Sequence, residues 1–398
     1  MTTLPPTRRL DHEDPQRLDF DATVLDAGPH DGRPAVVLDA SAFYPESGGQ
    51  LADLGALAGL AVADVQVDDA GVVRHYLVEG AALPAVGSSV RGSVDRARRR
   101  FHRALHTGQH MLSRALLDEA GGETVSSRLG SSACTIDLHL AAVDEAAVAR
   151  AEALVNAVVD DDLAVRVFFP TPEELAALPL RRAPKVTENI RVVDVGGFDV
   201  SPCGGTHCER TAQVAGVTVT NLERYKGKVR VTFLAGRLAW TELAAHSRAL
   251  VSLSRSFSVR PLETGGAVER LRGELTASRE AHGATRARWA ELHGGALATE
   301  ALARGESRVA AAMEAVPLET LRVLASAVTA RGLVALLASR VDDGLVVTVA
   351  RPEGSGFDCG AWLKRAAAAH GGRGGGKPDR AEGRFPAATN WATVAAGE

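Results

Sequence analysis

The pattern of apolar and polar positions divides the chain into a β-rich beginning and a mixed remainder. Short apolar runs such as 72–78, separated by Gly, Pro and Asp, predict strands of a small barrel or sandwich over residues 19–95. A helical period then appears over 96–119, where Leu105 and Leu112 share one face. Glycines that follow this segment are natural C-terminal caps, so the helix is predicted to end there.

The remaining pattern predicts an α+β fold with mostly antiparallel strands rather than a doubly wound sheet. Residues 263–303 have a weak helical period, and Gly283 predicts a break between the two arms of a helical hairpin. The glycines of 371–376 predict a mobile turn. The predicted order is a solvated tail (1–18), a small β-barrel-like domain (19–95), an α+β domain (96–260), a helical hairpin (261–312) and a C-terminal α/β domain (313–398).

Composition excludes several classes of protein. The 45 Lys and Arg against 49 Asp and Glu exclude a strongly basic, nonspecific nucleic-acid binder. No apolar run reaches the roughly 18–20 residues of a membrane span, and the polar N-terminus predicts no secretion signal. Four cysteines are too few for a disulfide framework, which predicts the reducing cytoplasm. We interpret Cys134 and Cys359 as small buried hydrophobes and Cys208 as a bystander.

Two pairs of potential metal ligands stand out. His106 and His110 are four residues apart in the predicted helix, which places both imidazoles on one face. His102 lies one turn earlier, so the sequence alone also allows a His102–His106 pair. Cys203 and His207 lie in a glycine-containing loop that can fold around an ion. Together the pairs predict a four-ligand zinc site, with either a structural or a reactive role.

Two clusters of positive charge are candidates for phosphate binding. Residues 96–103 contain five arginines at the start of a helix, where the helix dipole favours acids. A second set of cations surrounds the glycines of 371–376. Each cluster is either a phosphate-binding surface or a solvated face, and the sequence leaves both interpretations open.

Six segments together resemble one family. HTGQHML at 106–112 and CGGTHC at 203–208 resemble the H-x3-H and C-x3-H motifs of the editing domain of alanyl-tRNA synthetase and of the stand-alone AlaX editing proteins. The supporting segments are FYPESGGQLADLG (43–55), SSRLGSSACTIDL (126–138), KGKVRVTFLAGRLA (226–239) and GGRGGGKPDRAEG (371–383). The resemblance covers residues 19–260 well and 340–385 moderately. Because about 18 residues precede the β region, we expect the long, free-standing editing protein rather than the synthetase.

The resemblance implies a role for each site residue. The zinc ligands and catalytic centre would be His106, His110, Cys203 and His207, and His102 would be a bystander. Gln109 stands where editing domains commonly carry a Thr implicated in recognising a serine hydroxyl, so Thr107 or Ser127 is an alternative source of that contact. The implied substrate contacts are Gly48, Gly49, Gln50, Thr107, Gln109 and Ser127. The implied tRNA contacts are Arg98, Arg99, Arg100, Arg373, Lys377 and Arg380.

The resemblance also implies the function. The chain would be a zinc-dependent hydrolase that cleaves the ester of mischarged tRNA(Ala), with Ser as the favoured amino acid and Gly as a second candidate. It assigns editing to residues 96–260 and tRNA binding to 313–398, with Zn²⁺ as cofactor and no membrane as partner. The alternatives are a zinc-stabilised tRNA-binding protein without catalysis and a deacylase of another misacylated tRNA. A homodimer is left open.

Overall fold

The computed structural model describes residues 4–184, 186–341 and 344–396, which form two compact units divided after Val251. Residues 1–3 of the predicted tail and residues 185, 342–343 and 397–398 of the predicted domains lie outside the described residues. The mixed α+β architecture predicted from the sequence is confirmed, including a barrel at the N-terminal end. Among the described residues, no helix is both long and apolar enough to cross a membrane.

The first unit begins with a barrel closed by six antiparallel strands in the order β2-β3-β7-β6-β5-β8. The pairing of β2 with β8 closes the barrel, and in this last strand every second residue points inward, so Val90 and Val94 are buried while their neighbours are exposed. The strands and short helix of this region are β1 (Arg8–Arg9), α1 (Leu10–Glu13), β2 (Asp19–His30), β3 (Arg33–Leu38), β4 (Ala40–Ser41), β5 (Gly55–Leu57), β6 (Leu60–Val67), β7 (Val73–Leu77) and β8 (Ser89–Val94).

The predicted solvated tail is wrong for the residues that the structure describes. Strand β1 pairs in parallel with β4, and Leu10 is buried in the barrel core. The Thr7 hydroxyl donates to the Leu38 carbonyl and accepts from the Val73 amide, so the segment is held by backbone and side chain alike. The polar composition hid one apolar anchor, Leu10, whose burial orders the segment.

The rest of the first unit packs two helices against antiparallel sheets. A four-stranded sheet has the order β14-β15-β10-β9 and a three-stranded sheet the order β11-β12-β13. Helix α2 begins at an Asp95 cap that accepts from two backbone amides, and it ends at Gly121, whose φ is 62°. The elements are α2 (Arg96–Ala120), β9 (Thr124–Leu129), β10 (Cys134–Leu138), α3 (Glu145–Asp160), β11 (Val165–Phe168), α4 (Pro172–Ala177), β12 (Val192–Val195), β13 (Asp199–Pro202), β14 (Val217–Tyr225), β15 (Lys228–Ala235) and α5 (Gly236–Ser256).

The second unit contains a five-stranded sheet in the order β16-β17-β18-β20-β19. Strands β16 and β17 are parallel, and the other neighbours are antiparallel. Buried Trp362, Phe385 and Trp391 form one core of this unit. The elements are α6 (Thr264–Ala303), β16 (Arg308–Glu314), α7 (Leu318–Thr329), β17 (Val334–Val341), β18 (Gly344–Ala350), α8 (Cys359–His370), β19 (Arg373–Gly376), β20 (Arg380–Pro386) and α9 (Trp391–Ala396).

The predicted helical hairpin is wrong, because α6 runs for 40 residues without a break at Gly283. One glycine costs a helix about 1 kcal/mol relative to Ala, which the surrounding Ala, Glu and Arg residues tolerate. Gly294 has a packing role instead: a Cβ there would lie 2.7 Å from the Leu324 carbonyl oxygen of α7. With buried Ala290 and Ala298 it forms a stripe that lets α7 approach closely.

The predicted mobile turn at 371–376 is also wrong. Residues 373–376 form strand β19, which pairs along its length with β20. A Cβ on Gly376 would lie 2.3 Å from the Arg380 carbonyl oxygen, and one on Gly374 would lie 2.6 Å from Gly383 Cα. The glycines therefore serve close approach of backbone in a hairpin rather than freedom of a loop.

Candidate metal centre

The structure brings the four predicted ligands together. His106 and His110 lie on successive turns of α2, and Cys203 and His207 lie in the loop that follows β13. The ligand atoms of the four residues lie within 4.8 Å of one another. All three histidines are buried and Cys203 is half-buried, so the cluster forms the enclosed end of a site.

The donor set fits a tetrahedral zinc ion. The Nε2 atoms of His106 and His207 each lie 3.4 Å from Cys203 Sγ. Zinc bonded to N at about 2.0–2.1 Å and to S at about 2.3 Å would separate the two donors by about 3.6 Å. Imidazole nitrogen and thiolate sulfur are both ligand types that zinc takes in proteins. These four residues are therefore able to bind a metal ion.

Gln50 holds the first histidine in the orientation that a metal ligand needs. His106 Nδ1 lies 2.7 Å from Gln50 Oε1, which also accepts from the Thr206 amide at 3.1 Å. The Gln50 Nε2 group donates to the Thr206 hydroxyl at 2.9 Å, which fixes the orientation of the amide. His106 Nδ1 is thus a donor, and its Nε2 lone pair is free for a metal. Gln50 was predicted as a substrate contact, but the structure places it behind His106, fully buried.

Asp199 orients the second histidine. His110 Nδ1 lies 2.9 Å from Asp199 Oδ2, and Arg181 pairs with the same carboxylate. Burial opposes the charge on both partners. Even so, the facing thiolate of Cys203 and the Asp199 carboxylate raise the pKa of His110, and the His110 and Arg181 partners lower the pKa of Asp199. This carboxylate–histidine arrangement is the usual support of a histidine metal ligand.

Thr107 supports the third histidine. His207 Nδ1 lies 3.2 Å from Thr107 Oγ1, which also accepts from the Cys208 amide at 3.0 Å. Thr107 is fully buried and does not line the pocket described below, so it is not placed to touch a substrate. All three histidines therefore have an oxygen acceptor at Nδ1 and turn Nε2 inward.

The electrostatics favour the metal-binding protonation states of His106, His207 and Cys203, whereas the raised pKa of His110 favours its protonated form, so a metal bound there would displace a proton. Burial lowers the pKa of His106, and it lowers the pKa of His207 to about 3, so both imidazoles are neutral at neutral pH. Burial alone would raise the pKa of Cys203. The three neighbouring histidines outweigh it and hold that pKa well below its ordinary value. A thiolate and neutral imidazoles are the protonation states in which these side chains bind metals.

Gly205 makes room for the first ligand. A Cβ at this position would lie 2.1 Å from His106 Cε1, whereas a Cβ on Gly204 would meet nothing within 4 Å. Arg191 braces the same loop, because its Nη1 donates to the carbonyl oxygens of Cys203 and Gly205 at 2.8 Å each. The loop is therefore shaped by the absence of one side chain and the hydrogen bonds of another.

A pocket of about 500 Å³ opens beside the cluster. Its wall includes the ligands His106 and Cys203, and residues from β9, from the loop before β12 and from the N-terminal segment. Of the predicted substrate contacts, Gly48, Gln109 and Ser127 line it. Gly49 packs beneath, where a Cβ would lie 2.5 Å from the Ser127 carbonyl oxygen.

Gln109 lines this pocket and is buried. Its Nε2 donates to Ser113 Oγ at 2.7 Å, and Ser113 is held in turn by the Thr124 hydroxyl at 2.8 Å. Among the described residues, Gln109 Oε1 has no hydrogen-bond partner. The amide oxygen is therefore the atom of Gln109 that remains free to accept a hydrogen bond.

His102 does not join the cluster. Of the two histidine pairs that the sequence allowed, the structure therefore places His106 and His110 at the centre, and not His102 and His106. His102 is buried one turn before His106, and among the described residues neither ring nitrogen has a hydrogen-bond partner. Burial lowers the pKa of His102 to about 4, so it is a neutral core residue.

The predicted phosphate contact at Arg99 is wrong. Its guanidinium is 1% exposed and donates twice to Asp53 and once to the Ala42 carbonyl. Position 99 shares the inward face of α2 with His106, seven residues on, which is why it is buried. Arg98 is half-buried and donates to the Ala52 carbonyl, while Arg100 is exposed. In the second unit, Arg373, Lys377 and Arg380 are exposed on the glycine-rich hairpin, and their role in tRNA binding stays a prediction.

Sequence reasoning missed three residues of this site. Asp199 lies 89 residues from the histidine that it orients, and no motif includes it. Arg191 and His12 line the pocket from segments that looked unremarkable in the sequence. The sequence signal for Asp199 was its position, a carboxylate four residues before the predicted metal ligand Cys203.

Comparison with known proteins identifies two domains in the chain. Residues 190–232 match the threonyl and alanyl tRNA synthetase second additional domain, and residues 309–394 match the DHHA1 domain. The first match ends within β15 and contains both ligands of the Cys203 loop. The chain is therefore related to aminoacyl-tRNA synthetases.

Comparison over the whole sequence narrows the class of protein further. The chain is 34% identical to an alanine–tRNA ligase of Halorubrum lacusprofundi over 96% of its own length and 42% of the ligase. It is 31% identical to the alanyl-tRNA editing protein AlaX-L of Pyrococcus horikoshii over 59% of each chain. The C-Ala domain of Aquifex aeolicus alanyl-tRNA synthetase aligns with 21% of the chain and 80% of that domain, with 24% identity and a TM-score of 0.21, too low to bear on the fold. The resemblance inferred from the motifs is confirmed: the chain is a homologue of alanine–tRNA ligases and of AlaX-L, and it spans about half of their length.

Proposed function

We propose that this protein is a zinc-dependent deacylase that removes Ser from mischarged tRNA(Ala), and also Gly. The observation that carries the proposal is the convergence of three inward-facing Nε2 atoms on Cys203 Sγ at the end of a pocket. Homology to AlaX-L, which is named as an alanyl-tRNA editing protein, supports the same class of reaction.

The four ligands would hold the ion, and the pocket would hold the aminoacylated end of the tRNA. A bound zinc ion would supply a Lewis acid for an ester carbonyl or a water, which requires a fifth coordination position or the exchange of one of the four protein ligands. Gln50, Asp199 and Thr107 keep the histidine rings in one tautomer and orientation, so that little reorganisation is needed when substrate binds. Half-buried Ile190 lies on the pocket wall and limits the access of water.

Gln109 would distinguish Ser from Ala. Its Oε1 can accept a hydrogen bond from the seryl hydroxyl, because its Nε2 is already used by Ser113. With an alanyl ester that acceptor would be left without a partner in a buried site, which raises the free energy of the bound state. Ser127 lies on the same wall and is the second polar group within reach of the pocket.

Deacylation assays with Ser-, Gly- and Ala-tRNA(Ala) test this proposal. We expect rapid hydrolysis of Ser-tRNA(Ala) and much slower hydrolysis of Gly-tRNA(Ala) and Ala-tRNA(Ala), because neither glycine nor alanine carries the hydroxyl that Gln109 would bind. Cys203→Ala and His106→Ala should abolish turnover, and Gln109→Leu should reduce the preference for Ser over Ala while zinc remains bound. Unchanged turnover in both ligand variants would contradict the assigned centre. RNA binding without hydrolysis of any charged tRNA would favour a zinc-stabilised binding protein instead.

A further inference from the structure

Arg191 is a buried cation whose hydrogen bonds are incomplete. It is 5% exposed and lies on the wall of the pocket, where Nη1 holds the two loop carbonyls. Among the described residues, its Nε and Nη2 atoms have no hydrogen-bond partner. Leaving two guanidinium donors unpaired in a buried site is costly, so such groups commonly mark the place of a ligand.

The nearby acid does not neutralise this charge. Asp11 is buried and is engaged by Arg9 in two hydrogen bonds, Nε to Oδ1 at 2.8 Å and Nη2 to Oδ2 at 2.7 Å. His12, next in the chain, lines the same pocket, and its Nε2 also lacks a hydrogen-bond partner. This side of the pocket therefore offers several donors and a net positive charge.

A zinc ion bound by three neutral histidines and one thiolate would add a further net charge of about +1 at the adjacent wall. An arginine fork with adjacent free donors matches the oxygens of a phosphate group. The pocket volume of about 500 Å³ lies in the ordinary range for a nucleotide-sized ligand. The chemistry of this wall is therefore that of an anion site inside the pocket.

We propose that Arg191 binds the phosphate of the terminal nucleotide of the charged RNA and thereby fixes the ester against the metal loop. This inference rests on the proposed function for the identity of the nucleotide. Because Nε and Nη2 have almost no surface open to water, the phosphate must shift the pocket wall as it enters. Binding of substrate would then be transmitted to Cys203 and Gly205 through the Nη1 hydrogen bonds.

Calorimetric titration of the zinc-loaded full chain with adenosine 5′-monophosphate and with adenosine tests the phosphate contact without any hydrolysis. Two charge-assisted hydrogen bonds predict at least about 100-fold tighter binding of the phosphorylated nucleoside. Arg191→Gln should abolish that preference, and Arg191→Lys should restore part of it. Arg182→Gln is the matched control, because it removes an exposed arginine from the same pocket wall and should leave the preference in place.

Zinc content and melting temperature, measured for each variant, establish that the metal loop is intact. If Arg191→Gln loses zinc, the proposal is tested with Arg191→Lys instead. Its preference for adenosine 5′-monophosphate over adenosine should then be weaker than that of the wild-type protein. Equal affinity of the wild-type protein for adenosine 5′-monophosphate and adenosine, including no detectable binding of either, would overturn the proposal. An equal loss of affinity for both compounds in Arg191→Gln would also overturn it, since that result would mean that Arg191 only holds the Cys203 loop in place. Deacylation of Ser-tRNA(Ala) is measured separately, so a failure of the proposed function is distinguishable from a failure of this contact.

Discussion

Two glycine-rich segments of this chain look alike in the sequence and differ in what their missing side chains allow. In the first unit, Gly205 lets His106 approach the Cys203 loop, and Gly204 opens onto the pocket. In the second unit, Gly374 and Gly376 let the two strands of a hairpin lie close together. The comparison teaches that a glycine cluster makes room either for a metal-ligating side chain or for the close approach of two backbones. The atoms that a Cβ would meet show which of the two applies.

The largest effect is expected from removing the thiolate. Cys203→Ala should reduce bound zinc from about one per chain to nearly none and lower deacylation by more than about 100-fold, because the loop loses its only charged ligand. Zinc content by mass spectrometry and single-turnover deacylation measure both. Cys208→Ala is the control, since Cys208 is buried next to the ligand His207 but lies outside the cluster. Equal zinc loss in the two variants would contradict the assignment.

Replacing one glycine of the Cys203 loop by Ala tests whether that glycine makes room for a metal ligand. Gly205→Ala should displace His106, whose Cε1 would lie 2.1 Å from the new Cβ, and weaken zinc binding by about 100-fold. Gly204→Ala should bind zinc normally, because that Cβ would meet nothing within 4 Å. Competition with a zinc chelator gives both affinities. The comparison fails if the two variants behave alike.

Removing the support of His106 should have a smaller effect. Gln50→Leu takes away the acceptor of the Nδ1 proton, so the ring loses its fixed orientation, and zinc affinity should fall by about tenfold or somewhat more. The chelator competition applies here as well. Ser47→Ala alters an exposed residue of the same loop and should leave the affinity unchanged. Wild-type affinity in Gln50→Leu would show that this hydrogen bond does not position the ligand.

The smallest effect belongs to the hairpin of the second unit. Gly376→Ala should lower the free energy of unfolding by about 1–3 kcal/mol, since its Cβ would overlap the Arg380 carbonyl, and zinc content should not change. Urea unfolding followed by tryptophan fluorescence reports on this unit through buried Trp362 and Trp391. Gly375→Ala, whose Cβ would meet nothing within 4 Å, is the control. Loss of zinc in Gly376→Ala would contradict the separation of the two roles.

The candidate site could be predicted from the sequence where it depends on local spacing. The i, i+4 histidines of a helix and the Cys203–His207 pair are each short-range patterns, and the motif resemblance joined them. The oxygens that orient the rings could not be predicted in this way. Gln50 and Asp199 reach their histidines across 56 and 89 residues of sequence. Such contacts depend on the packing of the barrel and sheets around α2.

The fold could be predicted in its class and in most of its elements, because apolar periodicity marks helices and strands directly. The errors share a physical cause. Gly283 and the glycines of 373–376 were interpreted from intrinsic preference, whereas neighbouring residues decided their conformation. Arg99 was interpreted from its charge, whereas its position on the inner face of α2 pairs it with Asp53. Tertiary context overrode the local signal each time.

The most direct test of the central claim is the zinc coordination of the purified full chain, measured by X-ray absorption spectroscopy. The account predicts one sulfur at about 2.3 Å and three nitrogens at about 2.0–2.1 Å. The sulfur shell should be absent from zinc-supplemented Cys203→Ala and retained in Cys208→Ala. A shell with two sulfurs, a shell of oxygens alone, or a sulfur that survives Cys203→Ala would contradict the account.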